Sequence, residues 1–117
     1  MSNVVAEFAF GAVGADGSRM RVVLLVECPY KVTESNVEEW ACPLSMEPIQ
    51  PRCLTRGVSA VRAFGLALSG AQQALTYFVE DGGRLFFEDG SPWKDASLNL
   101  GGSFGYEPPP NNSLQRP

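Results

Sequence analysis

The sequence predicts an α+β fold: an antiparallel sheet of four to five strands with one long helix, about residues 59–80, packed on one face. Short apolar and β-branched runs separated by Gly- and Pro-rich turns indicate the strands. One longer segment repeats apolar residues at spacings of three and four, which is typical of a buried helix face. The chain has 117 residues, 44% of them hydrophobic, which is enough for one core. We therefore predict a single domain over residues 1–100 and a flexible Gly/Pro-rich tail over residues 101–117.

Most of the strands precede the helix. The predicted strands are residues 4–10, 19–28, 40–47 and 84–88, with 96–100 as a candidate fifth. The first two flank a Gly-rich loop and are expected to form an antiparallel hairpin. Pro43 assigns the third strand to a sheet edge, because proline donates no hydrogen bond to a ladder. Pro48 and Pro51 then predict a turn before the helix.

The helix has recognisable ends and an apolar face. Ser59 is the predicted N-cap, and the triplet Asp81-Gly82-Gly83 is the predicted stop. The expected buried face is Val61, Phe64, Leu68, Ala71, Leu75 and Phe78, flanked by the small residues Ala60, Ala63, Ala67 and Ala74. These alanines would let the helix backbone approach the sheet closely. Gly65 and Gly70 each cost about 1 kcal/mol relative to alanine, so the middle of the helix is either soft or tightly packed.

The charge balance restricts the partners that the chain can attract. Thirteen acidic against nine basic residues give a net charge of -4, which repels phosphate backbones and anionic membrane surfaces. We expect no nucleic-acid or membrane partner, and attraction to a basic protein. The N-terminal residues lack a signal-peptide pattern, and the longest apolar run, residues 22–26, is too short to span a bilayer. Three sparse cysteines without Cys-x-x-Cys spacing suggest reduced thiols in a cytoplasmic protein, with a Cys28–Cys42 bridge as the alternative.

The residue types give little support to catalytic or metal chemistry. The chain has no histidine, which removes the commonest general base and rules out Ser-His and Cys-His nucleophiles. A repeated Glu-Asp-Gly triplet supplies two carboxylate pairs, at residues 80–81 and 88–89. The predicted strand between them spans about 17 Å, too far for one metal site or one pair of glycosidase carboxylates. We interpret both triplets as turns and expect no catalytic residue, no metal and no cofactor.

The segment "EEWACPLSMEPI", followed by "RGVSAVRAFGLALSGAQQAL", resembles a family of small uncharacterised bacterial proteins. Its members carry a Trp-x-Cys strand, then a Gly-led helix rich in Ala and Leu, then a short aromatic strand. The resemblance covers residues 20–95, with matching residues Trp40, Cys42, Gly57, Ala63, Ala67, Leu68 and Phe86. It implies no enzymatic activity. It fits an immunity-protein-like role, since small acidic bacterial proteins often neutralise toxins.

These observations predict a non-catalytic protein-binding domain, most concretely an immunity protein that neutralises a cognate bacterial toxin by occluding its active site. The predicted contact residues are Glu38, Glu39, Glu88, Asp89, Trp93 and Asp95. The carboxylates would match a basic cleft, and Trp93 would either anchor the partner or, more simply, cap the core. Two alternatives stay open. One is a small carboxylate-based enzyme, or a ligand carrier with a pocket between sheet and helix. The other is a dimeric module that pairs through the strand 40–47.

Overall fold

A computed structural model describes residues 3–33, 38–94, 96 and 98 of the chain. These residues form six strands and one helix: β1 (Val4–Val13), β2 (Arg19–Glu27), β3 (Tyr30–Lys31), β4 (Trp40–Glu47), β5 (Gln50–Gly57), α1 (Ala60–Glu80) and β6 (Arg84–Phe86). The helix packs against a curled antiparallel sheet, which confirms the predicted α+β fold. The predicted tail, residues 101–117, lies outside the described residues.

Every strand pair in the sheet is antiparallel. β1 and β2 form the predicted hairpin, β2 pairs with β4, and β4 pairs with β5. After β5 the chain passes through α1 and returns as β6 to the far side of β1. The order across the sheet is therefore β5-β4-β2-β1-β6, with the short β3 beside the start of β4. α1 lies against β4 and β5 and reaches β6, so the helix crosses one face of the sheet from edge to edge.

β4 is an interior strand, and the prediction that it lies at an edge was wrong. β5 pairs along one side of β4, whereas β2 and β3 share the other side. On the shared side the β2 ladder ends at Leu44 and the β3 ladder begins at Ala41, so Pro43 lies beside the break between them. Proline is tolerated at that point because the ladder is already interrupted. Both sides of β4 are occupied, which also contradicts a dimer that pairs through the strand 40–47.

β5 was not predicted, because residues 50–57 show no apolar alternation. Most side chains of this strand are exposed, so burial imposed no pattern on its sequence. The turn predicted from Pro48 and Pro51 is shorter than expected: it holds Pro48 and Ile49, and Pro51 is already the second residue of β5. Within the described residues β5 pairs with β4 alone. Such an edge position is where a strand accepts proline.

The core lies between α1 and the sheet face that α1 covers. Its largest fully buried side chains from the sheet are Phe10, Val22, Val26, Leu44 and Met46. The helix contributes Ala63, Ala67, Leu68, Ala71 and Leu75. The predicted helix face is therefore partly wrong: Val61 is 79% exposed, and Phe64 and Phe78 are only half-buried. Ala63 and Ala67 take the central positions, which confirms that small residues bring the helix close to the sheet.

The end of β5 lies in close contact with the start of α1 at Gly57. A Cβ at this position would lie 2.7 Å from the backbone nitrogen of Ala63, so any larger residue would push β5 and α1 apart. The Ser59 hydroxyl caps the helix by accepting a hydrogen bond from the Arg62 N–H at 3.1 Å. At the other end Gly82 adopts a φ of 103°, the left-handed conformation that ends helices. Both predicted helix ends are confirmed.

The chain beyond β6 packs back onto α1. The Gln72 amide nitrogen donates to the Ala96 carbonyl, and its amide oxygen accepts from the Leu98 N–H, each at 2.6 Å. Ala96 is buried and has a φ of 54°, which is not a strand conformation. Residues 97, 99 and 100 of the candidate strand 96–100 lie outside the described residues.

Candidate functional site

Glu38 and Glu39 immediately precede β4, and both carboxylates are already engaged within the chain. Glu38 lies 3.7 Å from the Lys31 ammonium and accepts a hydrogen bond from the Trp40 indole N–H at 3.1 Å. Glu39 lies 3.4 Å from the Arg56 guanidinium. Exposed pairs of this kind add little stability, but they offset the negative charge. These two predicted contact residues therefore present little net charge to a partner.

Glu88 and Asp89 follow β6, on the far side of β1 and β2 from β4, and they are engaged as well. Arg21 donates to both Glu88 oxygens, from Nε at 3.0 Å and from Nη2 at 3.3 Å. Asp89 accepts hydrogen bonds from the Ser91 hydroxyl at 2.6 Å and N–H at 2.8 Å. These bonds hold the pKa of Asp89 below its ordinary value. With Gly90 at a φ of 90°, the second Glu-Asp-Gly triplet is a turn, as predicted.

Trp93 belongs to the core, which confirms the simpler of its two predicted roles. Only 6% of its surface is exposed. Its ring meets Phe8 and Phe10 edge-on, with centroids 5.4 and 5.1 Å away, and stacks on Phe87 at 5.5 Å. Because the ring is covered by these side chains, it is not available as a surface anchor, and that role is corrected. Asp95 lies outside the described residues, so its contact role stays a prediction.

The three cysteines are free thiols, and the Cys28–Cys42 bridge is not formed. Cys42 is buried in β4, and burial raises the pKa of its thiol to about 11. Its Sγ donates a weak hydrogen bond to the Glu27 carbonyl at 3.5 Å. Cys28 and Cys53 are exposed. Across residues 3–33, 38–94, 96 and 98, no three Cys, Asp or Glu side chains are grouped so as to hold a metal ion.

α1 presents a face with little charge to the solvent. Its exposed residues are Val61 and, together on one side of the helix, the residues that we call the α1 outer face: Arg62, Leu66, Ser69, Gly70, Gln73, Tyr77 and Glu80. Arg62 and Glu80 are the only charged residues of the helix, and they lie at its two ends. Val61 is 79%, Leu66 39% and Tyr77 55% exposed. Surface helices usually carry charged and polar residues opposite the buried face, so Leu66 and Tyr77 are apolar side chains where polar ones are typical.

Gly65 and Gly70 leave open space on the exposed side of the same helix. A Cβ at either position would meet no atom within 4 Å, so packing inside the domain does not require glycine. Of the two predicted alternatives, tight packing in the middle of the helix is therefore wrong. Glycine in a helix interior costs stability. Here it leaves shallow depressions where a second surface can approach the helix backbone closely.

The C-terminal end of α1 carries two carboxylates, Glu80 and the C-cap residue Asp81. A helix C-terminus has a partial negative charge and favours cations, yet the last turn of α1 has no basic residue. Neither carboxylate takes part in the ion pairs found among the described residues. The first Glu-Asp-Gly triplet thus leaves its charges exposed one turn from Tyr77. The sequence signal for this was the absence of Lys and Arg from the last turn of the helix.

A cleft of about 400 Å³ opens on the face of the sheet that points away from α1. We call it the arginine cleft; β1 residues 11–13 form its floor, and Arg19, Arg84, Phe86 and Glu88 surround it. Among the described residues, core side chains such as Phe10, Leu44 and Leu75 pack between sheet and helix, where a carrier pocket was predicted.

Comparison of the chain with family models, with curated proteins and with solved structures finds no match. The resemblance drawn from the Trp40-x-Cys42 strand and Gly57 therefore stays a prediction. In the part of the chain that the structure describes, no helix combines the length and the apolar character needed to cross a bilayer.

Proposed function

We propose that this chain is a non-catalytic protein-binding domain and that the α1 outer face is its contact surface. The observation that supports this most directly is the exposure of Leu66 and Tyr77, which lie on the same side of a helix whose charges lie only at its ends. Exposed apolar residues rimmed by polar ones are typical of protein-protein contact sites. Tyr77 combines a large apolar ring with a hydroxyl group, a combination enriched in such contacts.

The charge beside this face favours a basic partner. Glu80 and Asp81 add two carboxylates to a helix end that is already partially negative, so positive charge brought by a partner would relieve the repulsion. The net charge of -4 would also accelerate encounter with a basic protein. The most concrete such partner is a bacterial toxin domain whose active site the α1 outer face would occlude. The chain would then act as an immunity protein, in the cytoplasm.

This contact surface differs from the one expected from the sequence. Glu38, Glu39 and Glu88 each have a basic neighbour within the chain. A partner would have to break these pairs before it gained new ones, which lowers their contribution to binding. Glu80 requires no such exchange, because none of the ion pairs among the described residues includes it.

A capture experiment with matched leucine variants tests the proposal. Leu66 on α1 and Leu54 on β5 are 39% and 42% exposed, so replacing either with glutamate changes the same chemistry at two different surfaces. The immobilised wild type should recover a protein of net positive charge from a lysate of the native source, quantified by mass spectrometry. Leu66→Glu should lower that recovery about tenfold or more, and Leu54→Glu should not.

The purified partner then allows a functional test. Glu80→Gln should slow association with it at low salt, because steering by the carboxylate is lost. If the partner is a toxin, wild-type protein should restore growth of cells that express it, whereas Leu66→Glu should not. Equal capture by Leu66→Glu and the wild type, or equal loss with Leu54→Glu, would contradict the assignment of the surface. Recovery of an acidic partner would contradict the proposed electrostatic attraction to the carboxylates at the helix end.

The dimeric alternative cannot use β4, which is interior, and the edge strand next to it is β5. Pro51, Arg52 and Arg56 lie along β5. Proline and charged side chains are the residues by which natural sheets prevent edge-to-edge pairing. The structure therefore favours contact through α1 over contact through this edge.

A further inference from the structure

Two arginines lie side by side on the sheet face that α1 leaves uncovered. Arg19 of β2 and Arg84 of β6 are both register partners of Val13, one on each side of β1. Residues opposite each other in a ladder point to the same face. With neighbouring strands about 4.8 Å apart, the two arginine Cα atoms are separated by about 10 Å. Their side chains are long enough to reach a common ligand.

A third arginine on this face is neutralised. Arg21 and Phe86 are the register partners of Gly11, one row along from Val13. Arg21 reaches Glu88 with two hydrogen bonds of 3.0 and 3.3 Å, and Gly11 has no side chain to obstruct this contact. Glu88 lines the arginine cleft, and its ion pair with Arg21 offsets the negative charge of this carboxylate.

Arg19 and Arg84 have no such carboxylate. Neither takes part in the ion pairs of residues 3–33 and 38–94. Two guanidinium groups thus border one cleft in a chain of net charge -4. Guanidinium groups bind carboxylate and phosphate oxygens through paired hydrogen bonds. An anion bound between them would offset their mutual repulsion.

The cleft also has an aromatic side and the size of a small-molecule site. The Arg84 Cζ lies 5.9 Å from the centroid of the Phe86 ring, so the guanidinium lies over the ring. Phe87 also borders the cleft, with its ring stacked on Trp93. The volume of about 400 Å³ lies in the range of about 300–1,000 Å³ that is typical of small-molecule sites. A flat ring that carries a negatively charged group fits both features.

We propose that the arginine cleft binds a small oxyanion, a carboxylate or phosphate group carried on a flat ring. Arg19 and Arg84 would hold the oxyanion, and Phe86 would contact the ring. The site lies on the opposite face of the sheet from α1, so it goes beyond the proposed protein contact and does not depend on it.

Titration of the full chain with phenyl phosphate, benzoate and inorganic phosphate tests this site. NMR signals of the arginine Nε–H groups report each guanidinium separately. The signals of Arg19 and Arg84 should shift and saturate with both ring-bearing probes. That of Arg62, an exposed arginine on α1 without an ion pair among the described residues, should not. Inorganic phosphate should bind more weakly, because it has no ring.

Charge-matched variants provide the control. Arg19→Gln and Arg84→Gln should each weaken phenyl phosphate binding about tenfold, as expected for the loss of a charge-assisted hydrogen-bonding group. Arg52→Gln, which removes the same charge from β5, should leave binding unchanged. Equal shifts at Arg62, or unaltered binding in the Arg19→Gln/Arg84→Gln variant with an intact circular dichroism spectrum, would overturn the site. If inorganic phosphate binds as tightly as phenyl phosphate, the proposal that the ligand carries a ring would be overturned.

Discussion

Replacing Gly65 and Gly70 with alanine should stabilise the fold. Both lie inside α1, where glycine costs about 0.5–1 kcal/mol relative to alanine because its backbone loses more freedom on folding. A Cβ at either position would meet no atom within 4 Å, so no steric cost offsets the gain. The double variant should therefore gain about 1–2 kcal/mol in free energy of unfolding. For a domain of this size that corresponds to a rise of about 4–16 °C in the thermal midpoint.

Thermal and urea unfolding followed by far-UV circular dichroism measure this gain. The urea midpoint should rise while the m-value stays constant, since the surface exposed on unfolding does not change. Gly57→Ala is the matched control: its Cβ would lie 2.7 Å from the nitrogen and 3.1 Å from the Cα of Ala63, so α1 must move and stability should fall. A double variant no more stable than the wild type, or a Gly57→Ala variant of unchanged stability, would refute the reasoning.

Two further predictions concern titratable groups. Burial raises the pKa of the Cys42 thiol to about 11. A thiol reagent at about pH 8 should therefore modify the two exposed cysteines of the native chain and should reach Cys42 only in denaturant. Rapid modification of all three cysteines, counted by mass spectrometry, would contradict this expectation. The hydrogen bond from Arg52 lowers the pKa of Glu27 from its ordinary 4.5. The stability from this pair is thus present above pH 4.5 and is lost as the pH falls through the lowered pKa of the folded state. Arg52→Gln should make the urea midpoint less dependent on pH in this acid range, and a variant whose acid dependence equals that of the wild type would count against the pair.

The helix was predictable end to end, but the side that it buries was only partly so. Residues 60–80 carry the apolar spacing, the Ser59 cap and the glycine stop in the sequence itself. The spacing of apolar residues by three and four assigned Val61 to the buried face, yet it is 79% exposed while Ala63 is fully buried. The reason is the contact at Gly57, which brings the helix so close that a small residue must face the sheet. That distance is a property of the packed structure and has no local sequence signal.

The strands were predictable from the sequence only where burial makes their residues apolar. β1, β2 and β4 were predictable because one or both of their faces are buried and their sequences are correspondingly apolar. β5 is mostly exposed, so its sequence resembles a loop. Pro43 indicated an edge because proline weakens a ladder, but the break between β2 and β3 that accommodates it arises only when three strands assemble.

The candidate sites depended still more on contacts distant in sequence. The two Glu-Asp-Gly triplets have the same sequence, but Glu88 is paired with Arg21, which lies 67 residues away in the chain. Glu80 has no such partner among the described ion pairs. The two triplets therefore differ in available charge for a reason that lies outside both of them. The alignment of Arg19 with Arg84 likewise depends on the register of β6 against β1, which the sequence does not display.

The pairing of β6 with β1 has a consequence for the time at which this domain can fold during synthesis. On one side of β1, residues 11–13 have no partner until residues 84–86 have been made, and the rings of Phe8 and Phe10 are not covered by Trp93 until it follows. The hairpin and the helix can form earlier, but the nascent chain carries an open strand edge and exposed aromatic rings for most of its translation. Such surfaces bind chaperones or one another. A truncated chain that ends shortly after the helix would therefore be an aggregation-prone intermediate and not a slightly shortened native protein.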